Sequence, residues 1–187
     1  MKHKFLKSVA GLAMFASAFA FAQTPYPTKP ITMIVPFAAG GPTDTVARLV
    51  AQSMGNTLKQ TVLVENVGGA GGTIGAARVA KSAPDGYTLF LHHIGQSTAP
   101  SLYRKLSYNA VDDFEPIGLI TDVPMTFIAR GDFPAKDLKE LLAYVKANKS
   151  KVTYANAGVG SASHLCGMLF MTCLLYTSPS PRDRQKS

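Results

Sequence analysis

The sequence predicts an α/β fold with parallel-type sheets flanked by helices. Three observations carry this. Short apolar runs of β-branched residues recur at about 31–36, 61–66 and 87–91. Stretches with helical spacing of apolar residues separate them, at about 43–58 and 73–82, with a short one near 98–105. Glycine-rich loops stand where strands hand over to helices. Alternation of this kind argues for parallel strands joined by helical crossovers.

The first unit is the clearest. Ile31 to Val35 are apolar or β-branched, Pro36 stops the strand, and Ala39-Gly40-Gly41 allow a tight turn. Pro42 suits the start of a helix, where its missing N–H costs nothing. Val46, Leu49, Val50, Met54 and Leu58 then recur at helical spacing. A helix beginning here aims unbonded N–H groups and the positive end of its dipole at the space before the loop, a setting that suits carboxylates and phosphates. For Gly40-Gly41 the residues alone leave two readings, a ligand loop or a plain tight turn.

A second set of elements follows Asp113. Ile117 to Ile120 and Thr126 to Ala129 read as strands. Asp137 opens a helix with Glu140 at capping-box spacing, and Leu138, Leu141, Leu142 and Val145 supply its apolar face. Val152 to Ala155 reads as a further strand, and a helix begins near Ser161.

The two ends have their own signatures. Residues 1–22 form a secretory signal peptide, with Lys2, Lys4 and Lys7 before the apolar stretch Val9 to Phe21 and an Ala20-Phe21-Ala22 cleavage site. A bacterial-type signal places the mature chain in the periplasm. The apolar run is too short for a membrane span, and no Cys follows the cleavage site for a lipid anchor. At the other end, residues 173–187, CLLYTSPSPRDRQKS, break the helical pattern of His164, Leu165, Met168 and Leu169. They read as a translated sequencing adapter joined to an interrupted gene, with a natural disordered tail as the alternative.

These ends inflate the charge. The chain has 19 basic and 11 acidic residues, a net +8. Setting aside the three leader lysines, and Arg182, Arg184, Lys186 and Asp183 of the tail, leaves 13 basic and 10 acidic residues over 23–172. No basic block survives there, so the high pI gives no case for nucleic acid. Within that span Cys166 is the lone cysteine, set among Leu165, Met168 and Leu169 as a small apolar side chain.

Three loops sit where open α/β sheets bind ligands. The first runs from Phe37 to Asp44. The second, Ala157 to Ser163, offers Gly158 and Gly160 for close backbone approach, with Ser161 as N-cap and hydroxyl donor and His164 in a structural place. The third, His92 to Thr98, offers the hydroxyls of Ser97 and Thr98. Adjacent histidines in a strand-like stretch would point in opposite directions, which argues against a shared metal.

Enzyme signatures are weak. Gly69, Gly71 and Gly75 do not fit G-x-G-x-x-G, and no acidic residue ends the next strand at Leu91. The stretch Gly68 to Gly75 reads instead as a turn packing helix on strand. G-x-S-x-G is missing. Asp112, Asp113 and Glu115 read as a surface turn. No cofactor and no metal are called for.

Four blocks in order carry a family resemblance: YPTKPITMIVPFAAGGPTDTVAR (26–48), VENVGGAGGTIGAARVAKSAPDGYTL (64–89), LYRKLSYNAVDDFEPIGLI (102–120) and VTYANAGVGSASHL (152–165). From Tyr26 to about Thr172 the chain resembles the periplasmic substrate-binding receptors of tripartite tricarboxylate transporters, the Bug family. The resemblance implies a two-lobed periplasmic-binding-protein-like fold that closes on its ligand. Lobe 1 would span 23–120, a hinge 121–124, and lobe 2 125–172. It also implies that both lobes are truncated, because the returning segment that finishes lobe 1 is missing. The implied ligand is a small organic carboxylate. Phe37, Ala39, Gly40, Gly41, Thr43, Asp44, Ser97, Thr98, Gly158, Gly160, Ser161 and Ser163 are the expected ligand-binding residues, the first and second loops facing each other across the cleft. Asp44 would repel an anion, so helix capping or loop orientation is its expected task. The implied partner is a membrane permease, with the receptor a monomer and not an enzyme. A secreted α/β enzyme acting on a small acid, or a ligand sensor docking on a signalling partner, are the competing readings.

Overall fold

A computed structural model describes residues 25–173. Strand β1 (Ile31–Val35) lies at the centre of a three-stranded sheet. Ile31, Met33, Ile34 and Val35 are all buried. A strand covered on both faces needs such a near-continuous apolar run, not an alternating one. Strand β2 (Val62–Asn66) pairs with β1 in parallel, Ile31 opposite Val62 and Val35 opposite Asn66. Strand β3 (Thr88–Phe90) pairs in parallel on the other side, Thr32 opposite Thr88. The order is β2-β1-β3.

Parallel neighbours need crossovers, and helices supply them. Helix α1 (Pro42–Leu58) joins β1 to β2. Ala47 and Ala51, one turn apart, are its buried small residues and let it lie close to the sheet. Val46, Val50 and Met54 flank them against a core of Met33, Val35 and Leu91. The helix ends at Lys59 in the left-handed region, φ 54°. A 3₁₀ turn (Ala70–Gly72) leads into α2 (Thr73–Ala80), which returns the chain to β3. Gly75 lets α2 press on the strand end: a Cβ there would fall 2.9 Å from both Pro36 Cβ and the Val67 carbonyl oxygen. Helix α3 (Gly95–Leu102) follows β3. It begins three residues before the expected start because the His93 carbonyl already accepts from the Gln96 N–H at 3.0 Å. The expected parallel α/β unit is thus present.

The second set of elements departs from expectation. Residues 114–130 contain no helix or strand, and neither do residues 152–156. Ile117, Leu119 and Ile128 are 86%, 83% and 94% exposed. A strand exists through its neighbours' hydrogen bonds, and β-branched content alone does not make one. Among the described residues no strand pairs with these stretches. The helices do form. Helix α4 (Leu138–Ala147) is capped by Asp137, which accepts from the Glu140 N–H at 2.8 Å. Glu140 reaches back to the Lys136 N–H at 2.8 Å, one residue before the usual capping-box partner. Helix α5 (Ala162–Cys173) meets the extended segment through Phe170 and Phe127, ring centroids 4.6 Å apart. Among the described residues no helix is long and apolar enough to cross a membrane. The signal peptide (1–22) and all but the first residue of the tail (173–187) lie outside the described residues.

If the sheet is the core, Ile34→Ala should cost about 2–5 kcal/mol in urea unfolding. Leu49→Ala, on the exposed face of α1, should stay within about 0.5 kcal/mol. Equal costs would show that the burial does not hold the fold.

Candidate functional site

The first and third loops leave the carboxyl end of the sheet, after β1 and β3, whereas the second follows residues 152–156, which form no strand. In the first, Gly40 takes a positive φ of 79°, turning the chain so that Asp44 can reach back into the loop. Asp44 is 2% exposed. Its Oδ2 accepts from the Gly40 N–H at 2.8 Å and from Arg48 Nε at 2.9 Å. Its Oδ1 accepts from Asn66 Nδ2 at 2.9 Å, and the same amide donates to the Phe37 carbonyl at 3.0 Å. The Arg48 hydrogen bond, then the Gly40 N–H and Asn66, hold the Asp44 carboxyl down at about 2. Asp44 therefore orients the loop, and its charge is matched by Arg48. The N-cap position itself belongs to Gly41, without a side-chain cap.

This bonding decides which donors remain open. The Gly40 N–H is spent on Asp44, and the Gly41 N–H donates to the Ala38 carbonyl at 3.3 Å. Pro42 has no N–H. The N–H groups of Thr43 and Asp44 have no acceptor among the described residues, as expected of a first helical turn. Ala39 is exposed beside them, and Phe37 is half-buried.

The second loop is tied to itself. Ser161 is 1% exposed, and its hydroxyl accepts from the His164 N–H at 3.2 Å, an N-cap. It also lies 3.1 Å from the Ser163 hydroxyl, which accepts from the Ala157 N–H at 3.0 Å. The Gly158 N–H donates to Asn156 Oδ1 at 2.9 Å, and the Gly160 N–H to His164 Nδ1 at 3.3 Å. The N–H groups of both glycines, expected to allow close backbone approach, are thus engaged, and the Ser161 hydroxyl is buried. The contacts of this loop run to the 3₁₀ turn and to α3. The Tyr103 hydroxyl stands 2.7 Å from both the Ala70 and the Val159 carbonyls, clasping the loop to the 3₁₀ turn. A Cβ on Gly71 would overlap the Val159 carbonyl oxygen. The glycine stretch read as a helix-packing turn is therefore also the seat of the second loop.

In the third loop the two histidines do not diverge. β3 stops at Phe90, so strand alternation no longer applies at residues 92 and 93. Their ring centroids are 4.9 Å apart at 80°. His93 stacks on Phe37 at 4.3 Å, and His92 meets the same ring edge-on at 5.5 Å. Burial lowers the pKa of both; for His92, burial and then the neighbouring His93 bring it to about 3. Among the described residues no group of three or more His, Cys, Asp or Glu gathers to hold a metal. Ser97 donates to the Ile94 carbonyl at 2.9 Å, and Thr98 to the same carbonyl at 3.3 Å. Both hydroxyl protons expected for a ligand are used within the helix.

The loops line up in an order that the sequence does not reveal. Phe37 joins the first loop to the histidines, and Gly95, whose Cβ would fall 3.0 Å from the Gly160 carbonyl oxygen, joins the third loop to the second. Asn66, Arg48, His93 and Tyr103 hold these loops and were not among the expected site residues. A polar Asn ending a strand at the sheet's loop edge is the signal that points to Asn66.

Residues 46–174 match the model of the tripartite tricarboxylate transporter family receptor. A UPF0065 protein of Agrobacterium vitis is 56% identical over 153 residues, covering 82% of this chain and 44% of that protein. The solved periplasmic binding protein BugD superposes with a TM-score of 0.79 at 59% identity, covering 82% of this chain and 51% of that one. MatC of Rhodopseudomonas palustris, solved with bound malate, superposes with a TM-score of 0.76 at 44% identity over 82% of this chain and 52% of its own. The chain spans about half the length of these relatives.

The depressed Asp44 pKa fixes the sign of a pH effect. A carboxylate lowered on folding contributes stability that is full above its unfolded value, about 3.9, and is lost as pH falls towards 2. Asp44→Asn should therefore be less stable than wild type at pH 7, with the gap narrowing between about pH 4 and pH 2. Urea midpoints across that range test this. A gap that stays constant would mean that ionised Asp44 does not hold the loop.

Proposed function

Because the chain belongs to the tripartite tricarboxylate transporter receptor family, we propose that it captures a small organic carboxylate in the periplasm and presents it to a membrane permease. One observation carries this reading. The first turn of α1 keeps two N–H groups without acceptors, Thr43 and Asp44, while the one nearby acid is neutralised by Arg48. An anion set there would meet open donors and a positive helix end without meeting a net negative charge.

Phe37, Ala39 and the Thr43 hydroxyl would line the mouth of that site. The match to a transporter receptor model and the likeness to the periplasmic binding protein BugD support a receptor, not an enzyme, as the role of this chain. The two lobes would be 23–120 and 125–172, joined by a hinge at 121–124. Residues 121–124 are exposed and form neither helix nor strand, which supports a hinge there. The working unit would be a monomer. The malate held by MatC supports a dicarboxylate or hydroxy acid as the ligand class.

Calorimetric titration of the chain with malate should show one-to-one binding, with malate recovered unchanged by proton NMR. No heat with malate, succinate or citrate would contradict the receptor reading, and so would conversion of malate.

A further inference from the structure

Tyr103 ties together two parts of the chain that lie on either side of the hinge proposed at 121–124. Helix α3 ends at Leu102, and Tyr103 leaves it with extended backbone, its N–H still held by the Ala99 carbonyl at 3.0 Å. The side chain therefore starts from a fixed place. Its hydroxyl stands 2.7 Å from the Ala70 carbonyl, 33 residues away, and 2.7 Å from the Val159 carbonyl, 56 residues away. A phenol has a single proton to donate. At each moment one carbonyl accepts it and the other faces the oxygen without it, so the clasp is weaker than a pair of full hydrogen bonds.

Around the clasp the contact is backbone on backbone. A Cβ on Gly71 would overlap the Val159 carbonyl oxygen. A Cβ on Gly158 would fall 3.5 Å from the Gly71 nitrogen, and one on Gly95 would fall 3.0 Å from the Gly160 carbonyl oxygen. Glycine backbones bury little apolar surface, so this seam gains little from the hydrophobic effect and the phenol supplies a large share of its hold. Every atom of the seam belongs to the chain itself. The clasp therefore needs no ligand to form, and it contributes equally to the free and the loaded protein. A contact common to both states cancels from affinity but remains in the barrier between them. Resting on the receptor reading above, with the ligand between the first and second loops, we propose that Tyr103 is a positioning residue that acts as a kinetic latch. It seats the second loop on the 3₁₀ turn, and ligand enters and leaves when the clasp breaks. Its role is to set exchange rates, not ligand choice.

The test uses the full chain with malate as the probe, both rates being read by NMR exchange spectroscopy over a range of malate concentrations. Tyr103→Phe keeps the ring and deletes the hydroxyl. Association and dissociation should both speed up roughly threefold to tenfold, as for one lost hydrogen bond, with Kd within about twofold of wild type. Gly71→Ala unseats the loop from the opposite side with Tyr103 intact. It should speed both rates as well, and it keeps the proposal testable if Tyr103→Phe fails to fold. A merely structural Tyr103 would lower the urea midpoint and leave both rates at their wild-type values. Wild-type rates in either folded variant, or faster dissociation with unchanged association and a correspondingly weaker Kd, overturns the latch while the receptor reading stands. A wild-type chain that does not bind malate overturns the receptor reading and this inference with it.

Discussion

The buried carboxylate of Asp44 is the contact on which the loop edge depends. It joins three pieces that the chain reaches separately: the glycine turn after β1 through Gly40, the second turn of α1 through Arg48, and the end of β2 through Asn66. Burying an acid at the start of an anion-attracting helix would be unfavourable if the charge stood alone. Here every partner is a donor, and the guanidinium of Arg48 restores neutrality. The result is a loop whose shape is set before any ligand arrives. Preorganised donors lose less entropy on binding than donors that must be ordered by the ligand.

The parallel sheet explains why such a loop can act with others. Each strand of β2-β1-β3 runs the same way, so each strand-to-helix loop emerges at one edge. Phe37, at the end of β1, then becomes a shared surface against which both histidines after β3 pack. The second glycine loop comes from far along the chain and seats on Gly71 and Tyr103. Glycine is required at 71 because φ is 63° and because the Val159 carbonyl occupies the place of a side chain. Apolar burial under β1 holds the frame, and polar contacts define its edge.

Local signals were legible where they are self-sufficient. The apolar run of β1 cannot be stable unless buried, the proline at 42 suits the helix start that follows the glycine turn, and Asp137 needs only Glu140 three residues on to declare a cap. Contacts between distant segments were not. Asn66 meets Asp44 across 22 residues, and its own neighbourhood gives no sign of that partner. The apolar stretches near 117–120 and 126–129 have strand composition, but pairing is a property of two segments, and one alone cannot reveal it. The histidine rings pack together instead of facing apart because the strand ends at Phe90, two residues short of where alternation would separate them. The hydroxyls of Ser97 and Thr98 looked available because sequence does not show that the Ile94 carbonyl lies within their reach.

The central claim is that Asp44 consumes the Gly40 donor and leaves those of Thr43 and Asp44 for an anion. Amide hydrogen exchange on the full chain, without and with malate, tests it residue by residue. The account predicts that the Gly40 amide is protected in the free protein, and that the Thr43 and Asp44 amides exchange freely until malate protects them. A Gly40 amide that exchanges as fast as its exposed neighbours, or Thr43 and Asp44 amides that malate leaves unchanged, would contradict it.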